Sequence, residues 1–351
     1  MAARHSLRVG GAWAYEIGSW GDLQWSTRWP LGCYEASWSM ILRPRERPGV
    51  IHVGALVEIY DGSTRIWKGT LGEPNWSEGT FTATGLYALG SQYMALDSAG
   101  NSSSSQTAAV DAAISRGLPW THGALSTVPV TTLTDNINTI AQLNDAVNER
   151  ASVTAPWRWM VDENGVLSNL PDPTVVTWHL APGSVDLGES DGDFASALQV
   201  RYLDSSTSTY HTNLVVDTTL ANAYGYVESP VDLTPLGPIT SATANQYGQG
   251  ILTREKGRIG WTESIEATAL QLTTPGGMPA DLSSVRARDL IRAFDVPTPL
   301  QNLPYVDLVV GEAVYAAGAD VVRLSPVDKQ PQTLAEITED IVRKTRPGFR
   351  G

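Results

Sequence analysis

The stretch "GDLQWSTRWPLGCYEASWSM", residues 21–40, alternates by twos on both sides of a Pro30-Leu31-Gly32 break. Tyr34, Ala36, Trp38 and Met40 fall on one face, and Cys33, Glu35, Ser37 and Ser39 on the other. Successive side chains of a strand point to opposite faces, so this pattern predicts a strand with one face in a core. Upstream, Trp25, Thr27 and Trp29 alternate with Ser26 and Arg28, and the Pro-Leu-Gly link reads as a hairpin connection. Three tryptophans and a tyrosine in twenty residues admit two explanations: rings that fill a small β-core, or rings exposed as platforms for sugars. The strand-core spacing favours the first.

The same texture continues downstream. In "HVGALVEIYDGSTRIWKG" (52–69), Val53, Ala55, Val57 and Ile59 share a face, and Asp61-Gly62 turns the chain into a strand around Ile66 to Lys68. "GTFTATGLYALG" (79–90) adds another short strand. Five or six short strands at this spacing predict a small barrel or sandwich over residues 1–97. Seven of the twelve tryptophans precede residue 77, which is where such a core needs them.

From residue 98 the texture changes. "SAGNSSSSQT" reads as a Ser-rich linker. "TAAVDAAISRG" predicts a short helix with Thr107 as N-cap and Gly117 as terminator. "TLTDNINTIAQLNDAVNERA" predicts a second, capped by Thr134, with Ile137, Ile140, Leu143 and Val147 on one face. "PWRWMVDENGVLSNL" then gives two strands joined at Asn164-Gly165, so residues 98–190 form an α+β insert.

Strands return at "SALQVRYLDSSTSTYHTNLVVD" (196–217). "DTTLANAYGYVES" and "SATANQYGQGILTREKG" are weakly helical, and "GWTESIEATALQLTT" reads as a long strand with Thr262, Ser264, Glu266 and Thr268 on its polar side. "SVRARDLIRAFD" and "YVDLVVGEAVYAAGADVVRLSP" supply three more strands, and "VRARDLIRAFD" echoes the form of "VIHVGALVEIYDG" near the start. The expected fold is therefore mainly β: two small barrels with inserted helix and hairpin domains. The second barrel is expected from 191–217 and 281–328, with 218–280 inserted between its strands. Residues 329–351 are expected to form a C-terminal helix, with Thr333 and Glu336 in a capping box, and a basic tail.

Composition limits the function classes. One cysteine, Cys33, excludes an intrachain disulfide framework and a Cys-based zinc site. No run of eighteen apolar residues is present to span a membrane, and no N-terminal signal segment is expected. Net charge is 24 − 37 = −13, with 3 basic against 11 acidic groups in residues 101–200. That balance opposes ordinary nucleic-acid binding and suits a surface past which DNA slides without sticking. His5, His52, His122, His179 and His211 are scattered without metal-ligand spacing, and "DLGESDGD" (186–193) lacks the spacing of a calcium loop. No G-x-S-x-G elbow or phosphate loop occurs, and no carboxylate pair stands out beside the tryptophans. No catalytic residue, cofactor or metal is expected. The remaining candidates are Arg343, Lys344, Arg346 and Arg350 in "RKTRPGFRG", basic groups in an acidic chain and hence an expected interface with an acidic neighbour.

Taken in order, "VGALVEIYDGSTRIWKGTL", "AQLNDAVNERASVTAPWRWMVDENGVLSNLPDP", "SALQVRYLDSSTSTYHTNLVVD" followed by "AYG", and "VRARDLIRAFD" followed by "YVDLVVGEAVYAAGADVVRLSP" resemble a tail hub, or minor tail protein, of long non-contractile bacteriophages of actinobacterial hosts. The stretches span residues 53 to 326. The chain departs from that pattern in its surplus of tryptophan and in "RARD", where a glycine-containing turn is common. The resemblance implies the baseplate-hub fold and a homotrimer whose six barrels adapt a six-fold tail tube to a three-fold tip around a DNA channel. It implies as partners the distal tail protein or tail tube, the tape-measure protein and central fibre or other tip proteins. It further implies a virion component, assembled in the bacterial cytoplasm, with no appended enzyme. Two alternatives stand beside it: a cell-wall carbohydrate-binding or -hydrolysing tip protein, and a hexameric distal tail ring. Mutating Trp25, Trp29 or Trp38 separates the first alternative from the hub: the changes destabilise the protein or block assembly in the hub, and abolish glycan binding with the fold intact in the alternative.

Overall fold

The computed structural model describes residues 4–41, 48–127, 139–154, 157–181, 195–258, 264–294 and 305–327. Its architecture is mainly β, dominated by one curled, half-barrel sheet of sixteen strands. No helix among the described residues is long and apolar enough to cross a membrane.

The opening stretch forms the hairpin Ser19–Arg28 and Leu31–Ile41, joined at Trp29-Pro30 through a cis peptide. Ala36, Trp38 and Met40 are buried as the alternation requires. The partner strand departs from strict alternation, because the register slips between Trp25 and Thr27 and buries Ser26 as well. The Ser26 hydroxyl accepts the Glu35 N–H (3.1 Å), which satisfies a backbone donor that the bulge takes out of the ladder. Thr80–Gly85, Thr64–Leu71, Leu56–Asp61 and His5–Val9 then add in antiparallel order. Asp61-Gly62 makes the expected turn, while Val53 lies before its strand and is exposed.

On the other side, Ser19–Arg28 pairs with Tyr305–Ala316, which pairs with Val321–Pro326 and Leu290–Phe294. Strands from the two ends of the chain thus share one ladder and one core, in which Trp25, Trp38, Trp67 and Phe81 meet Trp178, Val310, Tyr315 and Leu324.

A second core lies in the insert, where Gln106–Ser115 and Ile140–Thr154 pack on the hairpin Trp157–Val161 and Val166–Pro171. Ile140, Leu143 and Val147 are buried as expected, whereas Thr134 and Ile137 lie outside the described residues. The hairpin is fixed to the main sheet by parallel pairing of Leu31 and Gly32 with Met160 and Val161. Gly32 has φ +88°, and a Cβ there would sit 2.0 Å from the Val161 carbonyl oxygen, so this approach requires glycine.

The strand partners redraw the expected boundaries. The Ser-rich segment after 98 is a folded turn: the Asp97 carboxylate accepts the Ala99 and Asn101 N–H groups (both 2.9 Å), and Ser105, two residues before Thr107, caps the helix. Leu86 and Ala95 already belong to the insert core. Val176–Leu180 pairs with Leu290–Phe294 and so joins the C-terminal strands. Ala197–Asp204 pairs with Tyr210–Val216 on one side and with Glu228–Asp232 and Pro238–Ile239 on the other, in a separate four-stranded sheet that includes no strand of 281–328. The helix Ser241–Arg258 packs on this sheet, and Val200, Val215, Ala244 and Ile251 share the third core. Of the expected long strand at 260–274, residues 260–263, Thr262 among them, lie outside the described residues, and the remainder forms Ile265–Ala267 and Leu272–Thr273. The Gln271 side chain accepts the Thr268 N–H (2.9 Å) and folds the chain into a turn between them. Residues 329–351, including the expected capping box, lie outside the described residues.

Candidate interaction surface

The surface is best understood from the joints that hold its parts in place. The "RARD" turn is the first. Arg288 adopts φ +77°. Its guanidinium donates from Nε and Nη2 to the Pro171 carbonyl (3.1 and 3.0 Å) and lies 5.3 Å from the Trp29 ring centroid. The Trp29 indole N–H donates to Asp172 (3.1 Å), and Arg158 stands 3.8 Å from the same carboxylate. Asp289 accepts the Trp178 indole N–H (2.8 Å) and the Arg286 backbone N–H (2.9 Å), and burial raises its pKa. These contacts clamp the insert hairpin, the opening hairpin and the C-terminal strands together.

The second joint closes the curled sheet. Arg4 pairs with Asp61 (2.8 Å) and with Asp281, and the Ser283 hydroxyl donates to Asp61 (3.0 Å). Arg4, followed by Ser283, holds the Asp61 carboxyl below the usual carboxylate range. Behind it the His5 ring meets Trp25 (5.0 Å) and Tyr315 (5.5 Å) edge to face, and burial lowers its pKa. None of these contacts had a local signal in sequence, because their partners lie up to 279 positions apart.

The tryptophans expected to discriminate between core and sugar platform are interior. Trp25, Trp29 and Trp38 are 2%, 2% and 3% exposed, and the Trp67 indole donates to the Ser26 carbonyl (3.1 Å). Cys33 is buried and its thiol is pushed up to about 12, which keeps it protonated and inert at neutral pH. Among the described residues no group of three or more His, Cys, Asp or Glu is placed to hold a metal ion. The acidic 186–193 loop and Arg343, Lys344, Arg346 and Arg350 lie outside the described residues.

Apolar side chains reach solvent at several places among the described residues, sheet margins included. Tyr15 is exposed beside Trp13, with the rings stacked at 6.2 Å, next to the short Ala12–Trp13 strand that ends the main sheet. Tyr210 and Leu214 are 63% and 55% exposed on the outermost strand of the four-stranded sheet. Such positions suit association and no bond chemistry: they offer backbone hydrogen bonds and apolar area.

No protein-family model matches the chain, and no curated protein sequence does. Solved structures do share its fold. The 43 kDa tail protein of prophage MuSo2 from Shewanella oneidensis superposes with a TM-score of 0.60 at 13% identity, over 94% of this chain and 99% of that one. Prophage tail protein gp18 from Listeria monocytogenes gives 0.54 at 9% identity, over 92% and 93%. A tail protein from Neisseria meningitidis gives 0.51 at 13%, over 93% and 98%. At these identities the likeness is one of fold.

Proposed function

We propose that the chain is a structural subunit of a phage-type tail, and within it the hub of the tail tip. The observation that carries this reading is near-complete, two-way coverage by tail proteins: 94% of this chain against 99% of the Shewanella protein. A match of that extent concerns the whole arrangement of curled sheet, insert and small sheet, not one common module. The hub reading adds three chains in a ring, each contributing an N-terminal and a C-terminal set of strands toward a six-fold tube. The excess of acidic groups would face DNA in transit and keep it from adhering. Neighbours in this reading are the distal tail protein or tube, the tape-measure protein and the central fibre, with Arg343, Lys344, Arg346 and Arg350 contacting an acidic face of an adjacent subunit. The work done is positional and involves no turnover. Interior placement of Trp25, Trp29 and Trp38 removes the rings on which the sugar-platform alternative rested.

Particle symmetry tests the proposal. Cryo-electron microscopy of assembled tails, with light scattering on the isolated protein, should find three copies around an axial hole at the tip. A six-fold ring of this chain moves it to the distal tail ring. Its absence from tails refutes both assignments.

A further inference from the structure

The seam that closes the curled sheet has a titratable ring behind it. His5 is 6% exposed, and its Nε2 has no hydrogen-bond partner among the described residues. Trp25 of Ser19–Arg28 (5.0 Å) and Tyr315 of Tyr305–Ala316 (5.5 Å) cage the ring edge to face. A neutral imidazole suits such a cage. An imidazolium carries an N–H on both nitrogens, and here the Nε2 donor would be buried with a charge and no acceptor.

The carboxylates that would attract that charge are already engaged. Asp61, across the ladder from His5, and Asp281 are both held by Arg4, and the Ser283 hydroxyl stands 3.0 and 2.8 Å from them. Asp320 accepts the Tyr315 hydroxyl (2.7 Å). Arg4, beside His5 in the chain, is a cation and opposes a second, and Trp25 is uncharged. Burial outweighs the pull of Asp61, Asp281 and Asp320 and holds the imidazole below its ordinary range. Backbone geometry ties this ring to the seam. His5 opens the strand His5–Val9, which lies next to the two-residue strand that ends the sheet. The Gly10 N–H donates to the Leu56 carbonyl (2.8 Å), so antiparallel alternation sets the Ser6 and Arg8 N–H groups on the carbonyls of Tyr60 and Glu58. For the ring to reach water, residues 4–6 must leave this ladder, and Arg4 then leaves Asp61 and Asp281.

We propose that the seam is an acid-released latch: protonation of His5 frees the start of the His5–Val9 strand and unfastens Arg4 from Asp61 and Asp281, while the rest of the sheet stays folded. The closed form is favoured above the ordinary histidine range and loses that advantage as pH falls toward the lowered value. A ring that titrates at about 6.5 once released favours the open form by up to about thirtyfold at pH 5, and by less than about twofold at pH 7. Asp61, held low by Arg4, keeps its charge across that window, so the response belongs to His5. The latch is independent of where in a tail the chain sits.

Hydrogen exchange on the full-length protein, corrected for the intrinsic pH dependence of exchange, reads such an opening even where it is rare. Between about pH 7 and pH 5 the protection of the Ser6 and Arg8 amides should fall by about ten- to thirtyfold in the wild type. His5→Gln should abolish the fall. If that variant does not fold, His5→Phe fills the aromatic cage without a titrating proton and serves the same comparison. A local latch also leaves Ser6 and Arg8 less protected than the amides of Leu31–Ile41 and little affected by dilute urea. Equal protection in the two strands means that global unfolding alone frees His5, and overturns the proposal. So does protection at Ser6 that is unchanged down to pH 5, or already absent at pH 7. A fall that persists without the imidazole overturns it as well. The His5 ring resonances give a reading that needs no change at the seam: an NMR titration midpoint at or above about 6.5 would show that burial does not oppose the charge, and the latch would have no drive.

Discussion

Replacing Trp67 with alanine tests the reading of the tryptophans as core. Trp67 is fully buried on the Thr64–Leu71 strand, where its ring crosses Gly69 of its own strand and its N–H reaches the Ser26 carbonyl at 3.1 Å. A Cβ on Gly69 would lie 2.4 Å from the ring's Cη2, so the ring occupies the space that a side chain there would take. Truncating a fully buried Trp costs roughly 3–5 kcal/mol. Losing the hydrogen bond and leaving a buried carbonyl without its partner contributes about 1 kcal/mol within that range. Trp67→Phe keeps most of the ring and loses the bond, so it should cost about 1–3 kcal/mol. Against a total stability on the order of 5–15 kcal/mol, the alanine variant sits near the threshold of folding. Urea unfolding followed by far-ultraviolet circular dichroism should show the midpoint falling in the order wild type, Phe, Ala, with an unchanged slope. An alanine variant within about 1 kcal/mol of wild type would refute the core role.

Four further outcomes follow from the joints and the insert. His5 has its folded pKa lowered by burial, so the stability due to keeping it neutral is present above its ordinary value of about 6.5 and is lost as pH falls through the lowered one; His5→Gln should flatten the melting temperature between about pH 7 and pH 5. Asp61, also depressed, contributes stability present above an ordinary carboxylate pKa of about 4 and lost below it as the folded value is passed; its partner is half exposed, so Asp61→Asn should cost no more than about 1 kcal/mol at pH 7, measured by denaturant titration, and should blunt acid unfolding. Arg288→Gly should be about 1 kcal/mol more stable than Arg288→Ala, because both lose the clamp on Pro171 but only glycine relieves φ +77°; equal unfolding midpoints for the two would contradict the backbone argument. In the insert, the Gln106 amide donates to Asn144 (2.8 Å) and Asn169 (3.1 Å) and accepts from Asn169 and from the Ser126 N–H, all in the interior; Gln106→Leu should cost about 2–4 kcal/mol and raise amide exchange in the insert before the main sheet.

The sequence told most where a rule acts over a few residues. The opening hairpin, the Asp61-Gly62 and Asn164-Gly165 turns and the helix bearing Ile140, Leu143 and Val147 all follow from periodicity and turn chemistry. Partner choice was not legible. "SALQVRYLDSSTSTYHTNLVVD" reads as two strands wherever they pair, and nothing in its alternation distinguishes a barrel shared with residues 281–328 from a sheet completed by Glu228–Asp232. The strand predicted across Thr268 failed for a related reason. Alternation persists there, with Ile265 and Ala267 buried between exposed Ser264, Glu266 and Thr268, but a side-chain bond from Gln271 ends the strand. The Arg4–Asp61–Asp281 closure and the Trp29–Arg288–Asp172 clamp join residues without any sequence proximity and become visible only when the sheet has curled.

The ladder between Ser19–Arg28 and Tyr305–Ala316 also has a consequence in time. A ribosome adds about 5–20 residues per second, so some 290 residues take roughly 15–60 s to follow the first of these strands out. Throughout that interval one margin of Ser19–Arg28, with Trp25 behind it, has no partner from its own chain. These strands therefore wait, half-finished, while the residues up to Tyr305 are made. A nascent chain stalled before residue 305 should consequently be held by chaperones or aggregate, and one released after residue 327 should not.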